Sequence, residues 1–223
     1  MATRLLPLTE AIPKSLIDVN GEPFIAHQLR LLRENQIERV VLCVGHLGER
    51  IQEAIGDGAR FDLQVDYSFD GPKLIGTAGA LKSALPLLLD DFLVLYGDSY
   101  LDFDYQAAWR AFQASNKLSL MTVFANEGRW EKSNVEYDGE RIISYDKQKA
   151  TGQMRYVDYG LGIFKKDAFV CVPAGQPYDL AQLYQEMLKQ NQLAAFEVRN
   201  RFYEIGSVSG LQETRQYLAL RSK

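Results

Sequence analysis

Along the first half of the chain, short apolar runs alternate with stretches of helical period. Ile25, Leu29 and Leu32 recur at spacings of four and three, which predicts an apolar helix face, and Arg39–Val44 (RVVLCV) follows as a buried strand. A short helix is expected over 47–55, an alternating strand over 63–69, a helix over 78–85 opened by glycine and threonine, and a buried strand over 92–96 (FLVLY). Such alternation predicts βαβ units around a mostly parallel sheet. Tyr105, Trp109 and Phe112 share one face at helical spacing and are expected in the core.

The pattern then changes. From 118 to 164 it is strand-like: LSLMTVF, then NVEYDGERIISY with Asp138-Gly139 as a hairpin turn, then VDYGLGIF. Helices around 179–189 and 208–220 close the chain, with a strand over 201–205 between them. The expected fold is α/β, a Rossmann-like, mostly parallel sheet flanked by helices, with an antiparallel β lobe in the second half. No repeat and no linker divides the sequence, so 1–223 is expected to form one domain with halves near 1–115 and 116–223.

Composition narrows the function. The 25 Lys and Arg residues are scattered, and against 29 Asp and Glu they leave a net charge of −4, so no nucleic-acid partner is expected. Cys43 and Cys171 each lie in an apolar run and are expected to be buried, reduced thiols. The most apolar stretch, 84–96, is broken by Pro86 and Asp90-Asp91, well short of the ~20 apolar residues of a membrane span, so no membrane partner is expected. With no signal-peptide pattern, a cytoplasmic location follows. His27 and His46 have no Cys or His partner at metal spacing and are assigned structural roles.

Three stretches carry candidate chemistry. In FLVLYGDS, Asp98 follows an apolar strand directly, at the carboxyl edge where open α/β sheets bind ligands. A carboxylate there costs desolvation unless it meets a cation or a donor, so it is a candidate for a divalent metal, with turn capping as the alternative. RFYEIGSVSGL repeats the arrangement with Glu204 in a strand, Gly206 at the turn and Ser207 typed to cap a helix, although an edge-strand residue facing water fits Glu204 equally. Two carboxylates from different strand ends suit Mg²⁺ on phosphates. LIGTAGAL is a glycine-rich turn into a helix, where small residues let a ring or phosphate approach the backbone, or serve close packing.

Taken in order, TRLLPLTEAIPKSL, GTAGAL, YGDS, SYDKQK, VDYGLGIF and FYEIGS resemble the sugar-1-phosphate nucleotidyltransferase family from Met1 to about Tyr217. The resemblance implies a nucleotidyl group moved from a nucleoside triphosphate to a sugar 1-phosphate, with pyrophosphate released and Mg²⁺ as cofactor. The family signature GGxGTRL, followed by proline and lysine, matches at Thr3, Arg4, Leu5, Pro13 and Lys14. It implies that Thr3, Arg4 and Lys14 meet the triphosphate, that Gly76, Thr77 and Gly79 seat the base, and that Asp98 and Glu204 hold Mg²⁺. It further implies that Lys147 reaches the sugar phosphate and that Asp158 and Gly160 line the sugar site. The segments NEGRWEKSNVEY and MRYVDYGLG resemble bacterial heptose- and hexose-1-phosphate enzymes, which points to a guanylyl or uridylyl donor.

Three departures stand out. Glu204 occupies a position where many relatives have Asp, Gln148 replaces a proline after Lys147, and the family's first strand with its two glycines is missing ahead of Met1. Met1 therefore reads as an internal methionine of a longer frame. A chain starting there is expected to show a gap in its sheet beside 92–96 and no measurable transfer. The rival functions are a non-catalytic family member that binds nucleotide or sugar nucleotide, and an unrelated doubly wound binding domain.

Overall fold

A computed structural model describes residues 12–71 and 75–221. Thr3, Arg4 and the rest of the opening signature before Ile12 lie outside the described residues. In chain order the elements are β1 (Asp18–Val19), β2 (Glu22–Pro23), α1 (Phe24–Glu34), β3 (Arg39–Val44), α2 (Gly48–Ile55), β4 (Gln64–Phe69), α3 (Gly76–Ala84), β5 (Asp91–Leu95) and β6 (Ser99–Tyr100). There follow α4 (Tyr105–Ser115), β7 (Ser119–Ala125), β8 (Val135–Tyr137), β9 (Ile142–Tyr145), β10 (Tyr156–Lys165), α5 (Leu180–Lys189), β11 (Leu193–Val198), β12 (Tyr203–Glu204) and α6 (Val208–Arg221). The elements expected from periodicity are present, and β11 is one that periodicity did not predict. Its LAAFEV sequence has two weak strand formers in the middle, and it owes its state to a parallel pairing with β7 over all six residues.

Contacts divide the chain into two compact units, each built from more than one stretch. The first takes 1–72, 96–102 and 202–223. Here β3 pairs with β4 in parallel, Arg39 opposite Gln64 through Val44 opposite Phe69. The apolar face of α1 (Ile25, Leu29) closes on Ile55, Phe61, Leu63 and Val65, with Val40 and Leu42 of β3 packed against the cluster. On the opposite face of β3, Cys43 is exposed and Val41 half-buried. The expectation of a strand buried on both faces is therefore corrected, and β3 has β4 as its one strand partner among the described residues. Cys171 is exposed as well, so both thiols are free but neither is a core residue. Even so, desolvation by neighbouring groups and the nearby Asp70 charge push the Cys43 thiol up to about 11.

A second small ladder in this unit matters more for function. β6 and β12 pair antiparallel, with Glu204 opposite Ser99 and Tyr203 opposite Tyr100, and the Ile205 amide donates to the Asp98 carbonyl at 3.0 Å. From α1, the buried Gln28 side chain donates to the carbonyls of Tyr96 (3.1 Å) and Ser99 (2.8 Å), so the turn carrying Asp98 is fixed from both sides. His27 bonds the Val19 carbonyl at 2.9 Å, a structural role as expected. At the far end, Arg221 of α6 reaches Glu34 at 2.6 Å, Asp102 at 2.8 Å and the Tyr100 hydroxyl at 2.8 Å, and Tyr203 stacks on Tyr217.

The second unit takes 73–95 and 103–201. Its six-stranded sheet is mixed, in the order β11-β7-β10-β8-β9, with β5 also on β10. The strand over 92–96 therefore finds an antiparallel partner in β10, Phe92 opposite Phe164 and Leu95 opposite Leu161, and β10 is its one partner among the described residues. Phe164 and Phe169 pack with Phe92, and Tyr105 and Phe112 of α4 are buried as expected, while Trp109 is half-buried. The register between β10 and β7 shifts from Asp158 opposite Val123 to Gly162 opposite Met121, so three residues of β10 face Thr122 alone. Gly160 has φ +104° inside this bulge, and the Thr122 hydroxyl donates to the Leu161 carbonyl at 2.6 Å to close it.

Beyond the bulge, Gly162 lets β10 lie against α5. A Cβ there would overlap the Tyr184 hydroxyl and sit 2.8 Å from the Phe164 ring. Both of those side chains are fully buried and have no room to retreat. Gly162→Ala should therefore destabilise the chain by about 1–3 kcal/mol, read as a lower urea midpoint at unchanged slope. An unchanged midpoint would show that the contact yields freely.

Candidate active site

The first unit brings Lys14, Asp98 and Glu204 together. Lys14 opens a short turn after Pro13, and its ammonium donates to Asp98 Oδ2 at 2.7 Å. It also passes Gly206 closely enough that a Cβ there would lie 3.1 Å from Nζ. Asp98 and Glu204 project from neighbouring strand ends because β6 and β12 pair across Ser99 and Glu204. Glu204 folds back on its own turn: the Gly206 amide donates to Oε2 and the Ser207 hydroxyl to Oε1 at 2.7 Å. Ser207 Oγ in turn accepts from the Gly210 amide at 2.9 Å, the helix-capping role its residue type predicts.

These two carboxylates supply hard oxygen donors, the type Mg²⁺ takes beside substrate phosphates. Glu204 has one donor on each oxygen and keeps lone pairs free. No group of three or more His, Cys, Asp or Glu is placed to hold a metal among the described residues. A cation held by Asp98 and Glu204 would thus draw its remaining oxygens from phosphates and water.

The second unit carries the remaining candidates in two places. At the start of α3, Gly76 has φ +72°, and a Cβ would lie 2.5 Å from the Tyr178 carbonyl oxygen. The amides of Ala78 and Gly79 donate to that same carbonyl at 3.0 and 3.1 Å, and Thr77 Oγ1 accepts from the Leu180 amide at 2.7 Å. The backbone that Gly76 and Gly79 admit here is the segment 176–180, which Thr77 then joins to the N-terminus of α5. Thr77 itself remains exposed.

At the β10 bulge, the Asp158 side chain is only 2% exposed. Its carboxylate accepts from the Gly160 amide at 3.1 Å and the Tyr145 hydroxyl at 3.2 Å, and Lys147 Nζ stands 3.8 Å away. Asn134 holds the Asp158 amide at 2.9 Å. Lys147 rides on a turn organised by Asp146, whose carboxylate accepts from the amides of Lys149 and Gln148, at 2.9 and 2.7 Å, and is lowered below its ordinary value by them. Burial, with the Asp158 charge beside it, raises the Tyr145 hydroxyl far above the ordinary tyrosine range, so Tyr145 stays a neutral donor.

Lys147, Asp158 and Gly160 thus meet in one cluster, with Tyr145 added to it. Sequence reading passed over Tyr145, although it lies inside the SYDKQK segment, because a tyrosine in an apolar strand reads as core. It also passed over Gly210, where the available signal was a glycine in the first turn of a helix.

Comparison with known proteins gives these clusters a context. The family model described as nucleotidyl transferase matches residues 1–219. The N-acetylmuramate alpha-1-phosphate uridylyltransferase of Neisseria meningitidis serogroup B is 30% identical over 216 residues, covering 94% of this chain and 91% of that protein. The UTP–glucose-1-phosphate uridylyltransferase of Synechocystis is 30% identical over 196 residues, 80% of this chain and 50% of its own length. The D-glycero-alpha-D-manno-heptose 1-phosphate guanylyltransferase of Campylobacter jejuni is 26% identical over 207 residues, 92% of this chain and 90% of the relative. Among solved structures, HddC from Yersinia pseudotuberculosis complexed with GMP-PN superposes with a TM-score of 0.77 at 18% identity, over 96% of this chain and 94% of that one. A Bacillus anthracis structure in complex with a sucrose reaches 0.82 at 19% identity, over 97% and 90%. With the family model matched over residues 1–219, the chain belongs to the nucleotidyl transferase family, among the sugar-1-phosphate nucleotidyltransferases.

Proposed function

We propose that the chain makes a nucleoside diphosphate sugar with its charged groups divided between two tasks. The Lys14–Asp98 pair beside Glu204 carries this reading: a cation and two carboxylates at strand ends are what a metal-bound triphosphate meets. A phosphate oxygen of the sugar 1-phosphate attacks the α-phosphorus in line. The bond from that phosphorus to the bridging oxygen breaks, and pyrophosphate leaves with the electron pair. No protein nucleophile takes part.

Asp98 and Glu204 would hold Mg²⁺, which when bound neutralises charge on the phosphates. Lys14 would place its ammonium on the phosphates, and Arg4 would add a forked guanidinium. In the other unit, Lys147 meets the sugar phosphate. Asp158 orients it from beneath, since a carboxylate so nearly covered is better placed to hold its neighbours than to reach a sugar hydroxyl. Gly160, whose amide lies on Asp158, keeps the bulge open at the sugar. Gly76, Thr77 and Gly79 form the base-seating turn that the family resemblance assigns them, with the exposed face of Thr77 available to the ring. The named relatives include both uridylyl and guanylyl transferases, so UTP and GTP are the first donors to test.

In a chain that also carries the family's opening strand and glycines, Asp98→Asn removes a charge from the metal and should cost several kcal/mol in the transition state, a fall in kcat of about a hundredfold or more. It should leave the circular dichroism spectrum intact, and pyrophosphate release with UTP and with GTP checks this. Near-normal kcat would move the metal away from Asp98, and nucleotide binding without turnover in the wild-type chain would favour the non-catalytic reading. Lys147→Ala should raise KM for the sugar 1-phosphate about tenfold or more, the worth of one charge-assisted hydrogen bond. KM for the triphosphate should change much less. Equal rises in both KM values would place Lys147 on the nucleotide instead.

A further inference from the structure

Gly210 is the third residue of α6, and nothing in its backbone calls for glycine. It is helical with an ordinary φ, where alanine would be better by about 1 kcal/mol. The space beside it explains the residue. A Cβ at 210 would overlap Oε1 of Glu204 and lie 2.6 Å from its Cδ and 2.7 Å from its main-chain oxygen. That main-chain oxygen lies 3.0 Å from the hydroxyl of the fully buried Thr214, which also reaches the Gly210 carbonyl at 2.8 Å. The carboxylate itself is pinned at both oxygens, by the Gly206 amide and the Ser207 hydroxyl. Gly206 leaves a matching space on the other side, where a Cβ would overlap Oε2.

We propose that Glu204 and Gly210 are a matched pair, in which the absent Cβ at 210 is the seat of the longer carboxylate arm. Gly210 is then a positioning residue: it sets where Glu204 presents its free lone pairs, and it rests on the reading of Glu204 as a holder of the divalent cation. An aspartate at 204 is one methylene shorter and relieves the side-chain overlap, although the main-chain contact at 2.7 Å remains. The pairing therefore predicts that a side chain at 210 is more harmful with glutamate at 204 than with aspartate there.

The test is a cycle of full-length chains: wild type, Gly210→Ala, Glu204→Asp and the double variant, with Glu204→Gln as a fifth. Thermal unfolding without metal reads the fit, and Mn²⁺ titrated by electron paramagnetic resonance with saturating inorganic pyrophosphate reads the cation. Gly210→Ala should melt several degrees below wild type, against its better helix propensity, and bind Mn²⁺ about tenfold more weakly. In the Glu204→Asp background the same substitution should lower the melting temperature by clearly less and leave Mn²⁺ affinity unchanged. Equal effects of Gly210→Ala in both backgrounds, or a higher melting temperature in the wild-type background, would overturn the pair. If instead Glu204→Gln binds Mn²⁺ as wild type does, the metal role of Glu204 is wrong, and the melting temperatures still decide the pair.

Discussion

A carboxylate set at the end of a strand must be given donors, or its desolvation opposes the fold. At Asp158 and Glu204 one donor is the amide two residues on, whereas Asp98 is met by the Lys14 ammonium. Asp158 accepts from Gly160, and Glu204 accepts from Gly206. Each is an acid, one apolar residue and a glycine, so the apolar residue can point into the core while the acid and the glycine bend around it. Tyr159 and Ile205, the residues in between, are both buried. One acid of each candidate cluster thus rests on the same local device.

The device works differently in the two units because the strands differ. Glu204 sits at the end of a two-residue strand, and its turn is completed by Ser207, Gly210 and Thr214 of the following helix. Asp158 sits inside a ten-residue strand, which can bend only by forming a bulge. Thr122 of the neighbouring β7 and Tyr145 of β9, one strand further off, complete that bulge. A glycine follows each acid for a different reason as well. At Gly160 the positive φ demands it, whereas at Gly206 the proximity of Glu204 and Lys14 does.

Much of this could be read in the sequence, and the limits have physical causes. The strand ends at Asp98 and Glu204 were visible because apolar runs stop abruptly at charges, and the helices because their faces repeat. What periodicity could not give is which side of a strand another element covers. RVVLCV reads as buried on both faces, yet Cys43 is exposed, since the composition of a strand states what it could bury and not what lies against it. β11 was missed because LAAFEV has little preference of its own and is defined by its neighbour. The partners of Asp158 were missed because Tyr145 and Asn134 are distant in sequence and ordinary in type.

The Lys14–Asp98 contact joins these points into one electrostatic argument. An ion pair with side chains 22% and 42% exposed is screened by water and adds little to stability. Its geometry is better understood as a held charge. With Glu204 close by across β6 and β12, Asp98 alone would face a second carboxylate, and Lys14 reduces that repulsion while no cation is present. A divalent cation would neutralise the two acids more completely than one ammonium does and would free Lys14. The incoming phosphates carry the negative charge that the freed ammonium then needs. Under the proposed function, charge balance would be kept in both situations by moving one flexible side chain, a task that suits a lysine better than a forked arginine.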